Sequence, residues 1–144
     1  MNEPVWVEAP DCLAFHDDLL ARFGGLAGTR DRGLLDSALH RPIHLFTYAH
    51  PSLFDLAAAY AAGIIRNHPF LDGNKRAGFV AAALFLELNG YSFVAPEEEV
   101  VLQTLALAAG ELDEATYAAW LRASCRRKTG RGRRKAGRSA GSRP

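Results

Sequence analysis

Apolar residues recur at helical spacing along most of the chain, so the pattern predicts an all-α fold of about six helices. Each predicted helix is bounded by capping residues, glycine or proline, and the six cover residues 11–23, 31–39, 52–66, 75–88, 96–107 and 113–121. The third and fourth are apolar on nearly every face and are therefore expected in the core. The segment from Val5 to Val7 is the one candidate for a short N-terminal strand.

The predicted boundaries rest on a few specific residues. Gly24 with Gly25 stops the first helix. Pro42 is expected to end the second helix, because proline disrupts a helix interior. Ser52 and Asp55 have the spacing of a capping box, in which each side chain accepts a hydrogen bond from the other residue's amide, and this predicts the start of the third helix.

The composition is that of one soluble globular domain, with 144 residues of which 49% are hydrophobic and 23% charged. The longest nearly uninterrupted apolar run, residues 56–65, is about half the length of a membrane span, and the N-terminal sequence lacks the layout of a signal peptide. We therefore expect a cytoplasmic protein with no membrane partner. Cys12 and Cys125 lie far apart without a C-x-x-C spacing, which predicts two free thiols.

Charge is distributed unevenly along the chain. All 16 acidic residues precede Arg122, whereas most of the 17 basic residues lie from Arg122 onward. From residue 128, the sequence "KTGRGRRKAGRSAGSRP" cannot bury enough apolar surface to offset the entropy of ordering it. The chain is therefore divided into a helical domain, residues 1–127, and a disordered basic tail, residues 128–144. The tail either only solvates the protein or makes weak, nonspecific contact with nucleic acid or another polyanion.

Between the two predicted core helices stands "NHPFLDGNKRAG", residues 67–78, which concentrates polar and charged side chains. The proline after His68 predicts extended backbone at that residue, so that its imidazole projects from the helix end and can serve as a base. Phe70 is expected to insert into the core and pin the loop. Gly73 and Asn74 permit unusual backbone angles, which lets successive amides point at one anion at a helix N terminus.

The charged residues of this stretch indicate phosphate chemistry. Lys75 and Arg76 occupy a first helical turn, where the macrodipole disfavours each cation by roughly 0.3–1 kcal/mol, so a bound anion is expected to compensate. Asp72, the lone acid of the loop, can hold Mg²⁺ together with phosphate oxygens, or it can simply cap the helix that follows. A base, a metal ligand, amide donors and two cations suffice for phosphoryl or nucleotidyl transfer. The simpler alternative is a polar turn between core helices.

The nine residues "HPFLDGNKR" resemble the signature of the Fic/Doc family, and the lysine in place of a glycine resembles its death-on-curing (Doc) branch. Residues 24–42, "GGLAGTRDRGLLDSALHRP", and residues 88–91, "LNGY", are similar to the Doc pattern, so the resemblance covers about residues 5–122. It implies a compact helical bundle and a toxin of a type II toxin–antitoxin pair that binds ATP and Mg²⁺. Such a toxin phosphorylates a hydroxyl of a translation factor, elongation factor Tu in the family's studied member, and has a cognate antitoxin.

By position, the resemblance implies that His68 is the general base and that Asp72 is the metal-linked carboxylate. It also implies that Gly73 and Asn74 form the anion-binding turn and that Lys75 and Arg76 bind phosphates. Fic enzymes that transfer AMP read G-N-G-R-x-x-R, whereas this chain has Lys75 at the second glycine and Phe79 at the second arginine. Both changes favour transfer of the terminal phosphate of ATP. No self-inhibitory [S/T]-x-x-x-E-[G/N] segment is found, so inhibition is expected from a separate antitoxin. AMP transfer and a non-catalytic nucleotide-binding module with a nucleic-acid-binding tail are the alternatives.

Other polar residues receive structural roles. His40 and His44 have the spacing of a metal pair on a helix, but Pro42 is expected to break the helix between them, which favours loop roles. Asp31 is expected to cap the second helix. In the resembling family this region lies near the active cleft and could contact nucleotide or target, but Asp31 and the two arginines beside it are assigned no catalytic role.

Overall fold

The computed structural model describes residues 2–129. These residues form six α-helices and one two-stranded sheet, in the chain order α1 (Ala9–Phe23), α2 (Arg32–Tyr48), α3 (Leu53–Asn67), α4 (Asn74–Leu88), β1 (Tyr91–Phe93), α5 (Glu97–Ala108), α6 (Glu114–Ala123) and β2 (Cys125–Arg127). The two strands are antiparallel, with Ser92 opposite Arg126. The prediction of a helical fold with about six helices is confirmed.

Helix α3 is the centre of the core. It packs against α2, α4 and α6, and every residue from Leu56 to Ile65 is buried. Its start is the predicted capping box: Ser52 Oγ accepts from the Asp55 amide at 3.1 Å, and Asp55 Oδ2 accepts from the Ser52 amide at 2.8 Å. Helix α4 buries one face only, because several residues of its other face, Phe79 among them, line an open cavity.

Two glycines let neighbouring helices approach α3 closely. A Cβ atom on Gly63 would lie 3.2 Å from the Ala38 carbonyl oxygen of α2. A Cβ atom on Gly78 would lie 2.9 Å from Ile65 Cγ1, so α4 meets α3 where no side chain intervenes. This contact lies one turn into α4 and holds the start of that helix against the core.

The prediction that the second helix ends at Pro42 is wrong, because α2 continues through it to Tyr48. Pro42 is fully buried, and the packing of α2 along α3 offsets the cost of about 3 kcal/mol for a proline in a helix interior. His40 and His44 therefore share one continuous helix, so the reason given against a metal pair does not hold. Among residues 2–129, no group of three or more His, Cys, Asp or Glu side chains is placed to hold a metal ion.

The segment from Val5 to Val7 is not a strand, and side chains take the place of a neighbouring strand. Asn89 Oδ1 accepts from the Val5 amide at 2.8 Å, and Asn89 Nδ2 donates to the Val5 carbonyl at 2.9 Å. The Tyr60 hydroxyl makes the equivalent pair of hydrogen bonds with the Val7 amide and carbonyl, at 2.9 and 3.1 Å. The backbone groups are thus satisfied without a sheet.

The two cysteines are free thiols, as predicted. Burial raises the pKa of Cys12 to about 12 and the pKa of Cys125 to about 11. Within residues 2–129, no helix combines the length and the hydropathy that crossing a membrane requires.

Most of the predicted basic tail, residues 130–144, lies outside the described residues. Lys128, its first residue, has defined contacts. Its amide donates to the Gly90 carbonyl at 2.9 Å, and its Nζ lies 3.0 Å from Glu87 Oε1. These contacts attach residue 128 to the end of the sheet.

Candidate active site

The loop between α3 and α4, residues 68–73, is anchored by its two apolar residues. Pro69 is fully buried, and Phe70 is 1% exposed, which confirms the prediction that Phe70 inserts into the core. The neighbours His68 and Asp72 are exposed. The apolar anchor therefore leaves both polar side chains on the open side of the loop.

The backbone of His68 is left-handed rather than extended, with φ 51° and ψ 56°, so the predicted conformation is wrong. His68 closes α3: its amide donates to the Ile64 carbonyl at 3.1 Å. The guanidinium of Arg30 supports this turn by donating to the carbonyls of His68 and Asn67 at 2.7 and 2.9 Å. These charge-assisted hydrogen bonds stabilise a backbone conformation that is uncommon for a residue with a side chain.

The side chain of Asn74 is a clip: it holds the loop through hydrogen bonds to the backbone of Phe70 and is not available to bind a ligand. It is 5% exposed. Its Oδ1 accepts from the Phe70 amide, and its Nδ2 donates to the Phe70 carbonyl, both at 3.0 Å. The same Nδ2 lies 3.2 Å from His68 Nδ1. The side chain is therefore fully engaged, and only the backbone amide of Asn74 is available to an anion.

Of the two residues expected to permit unusual backbone angles, Gly73 adopts one, with φ 77° and ψ 20°, whereas Asn74 is the first residue of helix α4. Gly73 stands at the N-cap of α4, where no side chain caps the helix. The first amides of a helix have no acceptor within it, and here they begin beside the exposed side chains of Lys75 and Arg76. This geometry suits an anion at the N terminus of α4.

Asp72 does not cap α4 in the way that the sequence left open. Its Oδ1 accepts from the Gly73 amide at 2.9 Å, and its Oδ2 accepts from the Leu26 amide at 3.2 Å. A Cβ atom on Gly25 would lie 2.9 Å from Asp72 Oδ2, so only glycine leaves room for this carboxylate. Two backbone amides thus orient the carboxylate, which remains exposed.

A distant segment, residues 24–31, forms a clasp over the loop. The family resemblance places residues 30–32 near the active cleft, but sequence reasoning gave no residue of this segment a role in the site. The Gly28 carbonyl accepts from the Leu71 amide at 3.1 Å, and the Pro69 carbonyl accepts from the Arg30 amide at 2.7 Å. Thr29 forms an isolated antiparallel bridge with Phe70. The glycines of this segment were the available signal, because all three, Gly24, Gly25 and Gly28, have positive φ angles. The clasp also ends at Asp31, whose predicted capping of α2 is confirmed by a 3.1 Å bond from the Leu34 amide.

His16 on α1 is a second residue that sequence reasoning missed as part of the site. It is 2% exposed, and its Nε2 lies 2.8 Å from the Asp72 carbonyl oxygen. Its ring stacks on Phe70 with centroids 3.8 Å apart. A histidine among the apolar positions of an amphipathic helix was the available signal.

All six residues predicted for the site border one cavity of about 650 Å³: His68, Asp72, Gly73, Asn74, Lys75 and Arg76. The rest of its lining is mainly apolar and comes from α1, α4, β1 and α5. The Arg76 guanidinium lies 4.1 Å from the centroid of the Phe23 ring, which holds this cation at the rim. The cavity thus combines an apolar wall with a polar, cationic end.

The described residues form a small helical protein. Its loop places a histidine, a carboxylate and two cations at a helix N terminus, and all of them border one cavity. The sequence model of the Fic/DOC family matches residues 6–86. The chain therefore belongs to the Fic/DOC family, and all six candidate residues lie within the matched part.

Two relatives agree with this assignment. Toxin Doc of Mycolicibacterium smegmatis is 46% identical over 76 residues, which is 51% of this chain and 58% of the relative. Protein kinase doc of Escherichia phage P1 is 32% identical over 117 residues, which is 81% of this chain and 92% of the relative. The chain is thus similar over more than half of the first relative and over nearly all of the second.

Proposed function

We propose that this protein is a Doc-like toxin that transfers the γ-phosphate of ATP to a hydroxyl of a translation factor resembling elongation factor Tu. The observation that carries the proposal is the single cavity that His68, Asp72 and the start of α4 share. The names of the two relatives, a toxin and a protein kinase, support the same activity. The proposed site of action is the cytoplasm, where translation and ATP are found.

The residues present fit a nucleotide with a divalent ion. Lys75, Arg76 and the first amides of α4 are donors for phosphate oxygens. Asp72 is an exposed carboxylate whose two oxygens are already oriented by amides, and Mg²⁺ commonly takes one or two carboxylates, with water and phosphate oxygens completing its ligands. When bound, Mg²⁺ would neutralise charge on the phosphate oxygens. The apolar wall of the cavity would receive the base of the nucleotide.

In the proposed reaction the acceptor hydroxyl oxygen forms a bond to the γ-phosphorus while the bond from that phosphorus to the bridging oxygen of ADP breaks. The hydroxyl proton passes to His68. Asn74 Nδ2 can only donate, so the neutral His68 ring accepts at Nδ1 and carries its hydrogen on Nε2. The ring must therefore turn about its Cβ–Cγ bond or change tautomer before it takes the proton, and this torsion has a broad energy profile in histidine.

Transfer of phosphate rather than AMP is favoured by two positions. Lys75 brings a side chain to the mouth of the cavity, where AMP-transferring relatives would have glycine. Phe79 packs against Phe93 with ring centroids 5.0 Å apart, so an aromatic cluster occupies the position of the second arginine. The cavity wall at Phe79 is therefore apolar and lacks that bidentate grip on phosphate.

A cognate antitoxin is the proposed partner, because one relative is named Toxin Doc and the other shares the Doc name. Contact of the basic tail with nucleic acid stays a prediction, since residues 130–144 lie outside the described part of the chain.

Labelled ATP tests the proposal. The protein is incubated with a cell extract, Mg²⁺ and ATP carrying label on the γ- or the α-phosphate, beside a His68→Ala variant. A His44→Ala variant serves as the matched control, because His44 is an exposed histidine on α2, away from the cavity. We expect a translation factor to be labelled from γ-ATP by the wild type and by His44→Ala, and not by His68→Ala.

Label from α-ATP would instead establish AMP transfer. An absence of His68-dependent label from either nucleotide would refute both enzymatic readings and leave a nucleotide-binding module. Growth arrest on expression of the wild type, relieved by His68→Ala, is expected if the transfer is toxic.

A further inference from the structure

His16 is a buried histidine for which the proposed chemistry has no use. It lies on α1, 2% exposed, directly beneath the turn that leads from Asp72 into α4. Its ring is nearly parallel to that of Phe70, at 10° and 3.8 Å between centroids. One face of the imidazole therefore packs on the residue that anchors the loop, while its edge meets the end of the loop.

The hydrogen on the imidazole is located by its partner. His16 Nε2 lies 2.8 Å from the Asp72 carbonyl oxygen. A carbonyl oxygen can only accept, so Nε2 must carry the hydrogen and donate it. The histidine thus bonds to the backbone of the proposed metal-linked residue and not to its side chain.

The hydrogen bond from His16 orients the rigid peptide group between Asp72 and Gly73, at the start of the proposed anion site. The Asp72 carbonyl and the Gly73 amide belong to the same planar peptide group, so holding the carbonyl also sets the direction of the amide. The Gly73 amide donates to Asp72 Oδ1 at 2.9 Å. A Cβ atom on Gly73 would lie only 3.6 Å from His16 Nε2, so the turn sits against the imidazole edge.

We propose that His16 is a positioning residue, which orients the Asp72–Gly73 peptide and through it the carboxylate of Asp72. The inference rests on the proposed function only in giving Asp72 a role with Mg²⁺; the positioning itself is a property of the free protein. Removing an outer partner of a metal ligand commonly costs about 10- to 100-fold in metal affinity or activity. A loss of this size is the expected effect of removing the His16 donor.

Two substitutions of His16 distinguish the effect of its hydrogen-bond donor from the effect of its aromatic ring. His16→Phe keeps an aromatic ring for the Phe70 stack and removes the hydrogen-bond donor, whereas His16→Gln keeps an N–H donor and removes the ring. We expect His16→Phe to lower kcat and to raise the Mg²⁺ concentration for half-maximal activity, together by about 10- to 100-fold. His16→Gln should recover most of this loss. His44→Phe, the same exchange at an exposed histidine, should have no effect.

A measurement on the protein without nucleotide keeps the inference separate from the proposed function. Long-range ¹H–¹⁵N spectra of the full chain should show His16 with its hydrogen on Nε2. The amide signals of Gly73 and Leu26, which both donate to Asp72, should shift in His16→Phe and stay near their positions in His44→Phe. If the wild type transfers no phosphate, the proposed function fails while these spectra still decide the role of His16.

Three results would overturn the inference. The first is a His16 hydrogen on Nδ1 alone, which can be read from the wild type even where a variant fails to fold. The second is a folded His16→Phe with unchanged Gly73 and Leu26 amides. The third is an equal loss of activity in His16→Phe and His16→Gln, since a role in packing alone would give no recovery by the donor.

Discussion

Replacing Asn74 by aspartate tests whether its side chain is a clip for the loop. The substitution keeps the shape and keeps an oxygen to accept from the Phe70 amide. It turns the other end of the side chain from a donor into an acceptor, so an oxygen then faces the Phe70 carbonyl 3.0 Å away and the nearby His68 Nδ1. The site is 5% exposed, so water cannot replace the lost hydrogen bonds.

The expected cost follows from these contacts. Loss of the bond to the Phe70 carbonyl removes about 1 kcal/mol, and leaving that buried carbonyl without a donor costs about 1–3 kcal/mol more. The free energy of unfolding should fall by roughly 2–4 kcal/mol. For a domain of this size, the melting temperature should fall by about 10 °C.

Thermal and urea unfolding followed by circular dichroism measure the loss, and calorimetric titration with ATP and Mg²⁺ measures binding. Asn89→Asp is the matched control, because Asn89 clips the Val5 amide and carbonyl in the same way at the far end of α4. We expect both variants to lose stability and only Asn74→Asp to lose nucleotide binding as well.

Unchanged stability together with lost nucleotide binding would refute the role of Asn74 as a clip. If Asn74→Asp unfolds at the wild-type temperature yet fails to bind nucleotide, the side chain of Asn74 contacts the ligand directly. Its two bonds to Phe70 would then not be what holds the loop.

Three further predictions concern the support of the loop, the helix contact and the thiols. Arg30→Lys should lower the free energy of unfolding by about 1–2 kcal/mol in urea titrations, because one ammonium cannot reproduce both bonds to the loop carbonyls; an unchanged value would contradict this. Gly78→Ala should destabilise the protein, because overpacking costs about 1–3 kcal/mol, against a gain of about 1 kcal/mol in helix propensity. A higher melting temperature would refute that balance. Burial raises the thiol pKa of Cys12 to about 12 and of Cys125 to about 11, so both stay protonated at pH 8. Iodoacetamide should therefore label the folded protein slowly at pH 8, faster toward pH 11, and at once in urea; rapid labelling of the folded protein at pH 8 would contradict this.

Local signals predicted the helices well. The capping residues Asp31, Ser52 and Asp113 lie where the sequence places them, and each accepts a hydrogen bond from an amide three residues later. The prediction that Pro42 ends the second helix was wrong because the rule about proline describes its cost within a helix by itself. In the protein, burial of Pro42 against the rest of the fold offsets that cost. The strands β1 and β2 are three residues each, too short to show an alternating pattern.

The candidate site was accessible to sequence reasoning because its six residues are nearly contiguous, so one loop brings them to one cavity. Backbone conformation was less accessible. The rule for residues before proline predicts extended backbone at His68, but closure of α3 by the His68 amide and the two bonds from Arg30 favour the left-handed turn. Such bonds join positions 37 and 38 residues apart, and no local pattern in a single sequence reveals them.

The loop is held by side chains at its start, middle and end, and two of these three lie outside the nine-residue signature. Arg30 binds the carbonyls at its start, Asn74 clips Phe70 in its middle, and His16 binds the Asp72 carbonyl at its end. Arg30 and His16 act on the backbone alone, whereas Asn74 also lies 3.2 Å from His68 Nδ1. The side chains of His68 and Asp72 stay exposed to a ligand. In the proposed reaction the signature supplies the reacting groups, while α1 and the clasp supply the geometry. A chain with the same nine residues but without these partners would keep the chemistry and lose the alignment on which phosphoryl transfer depends.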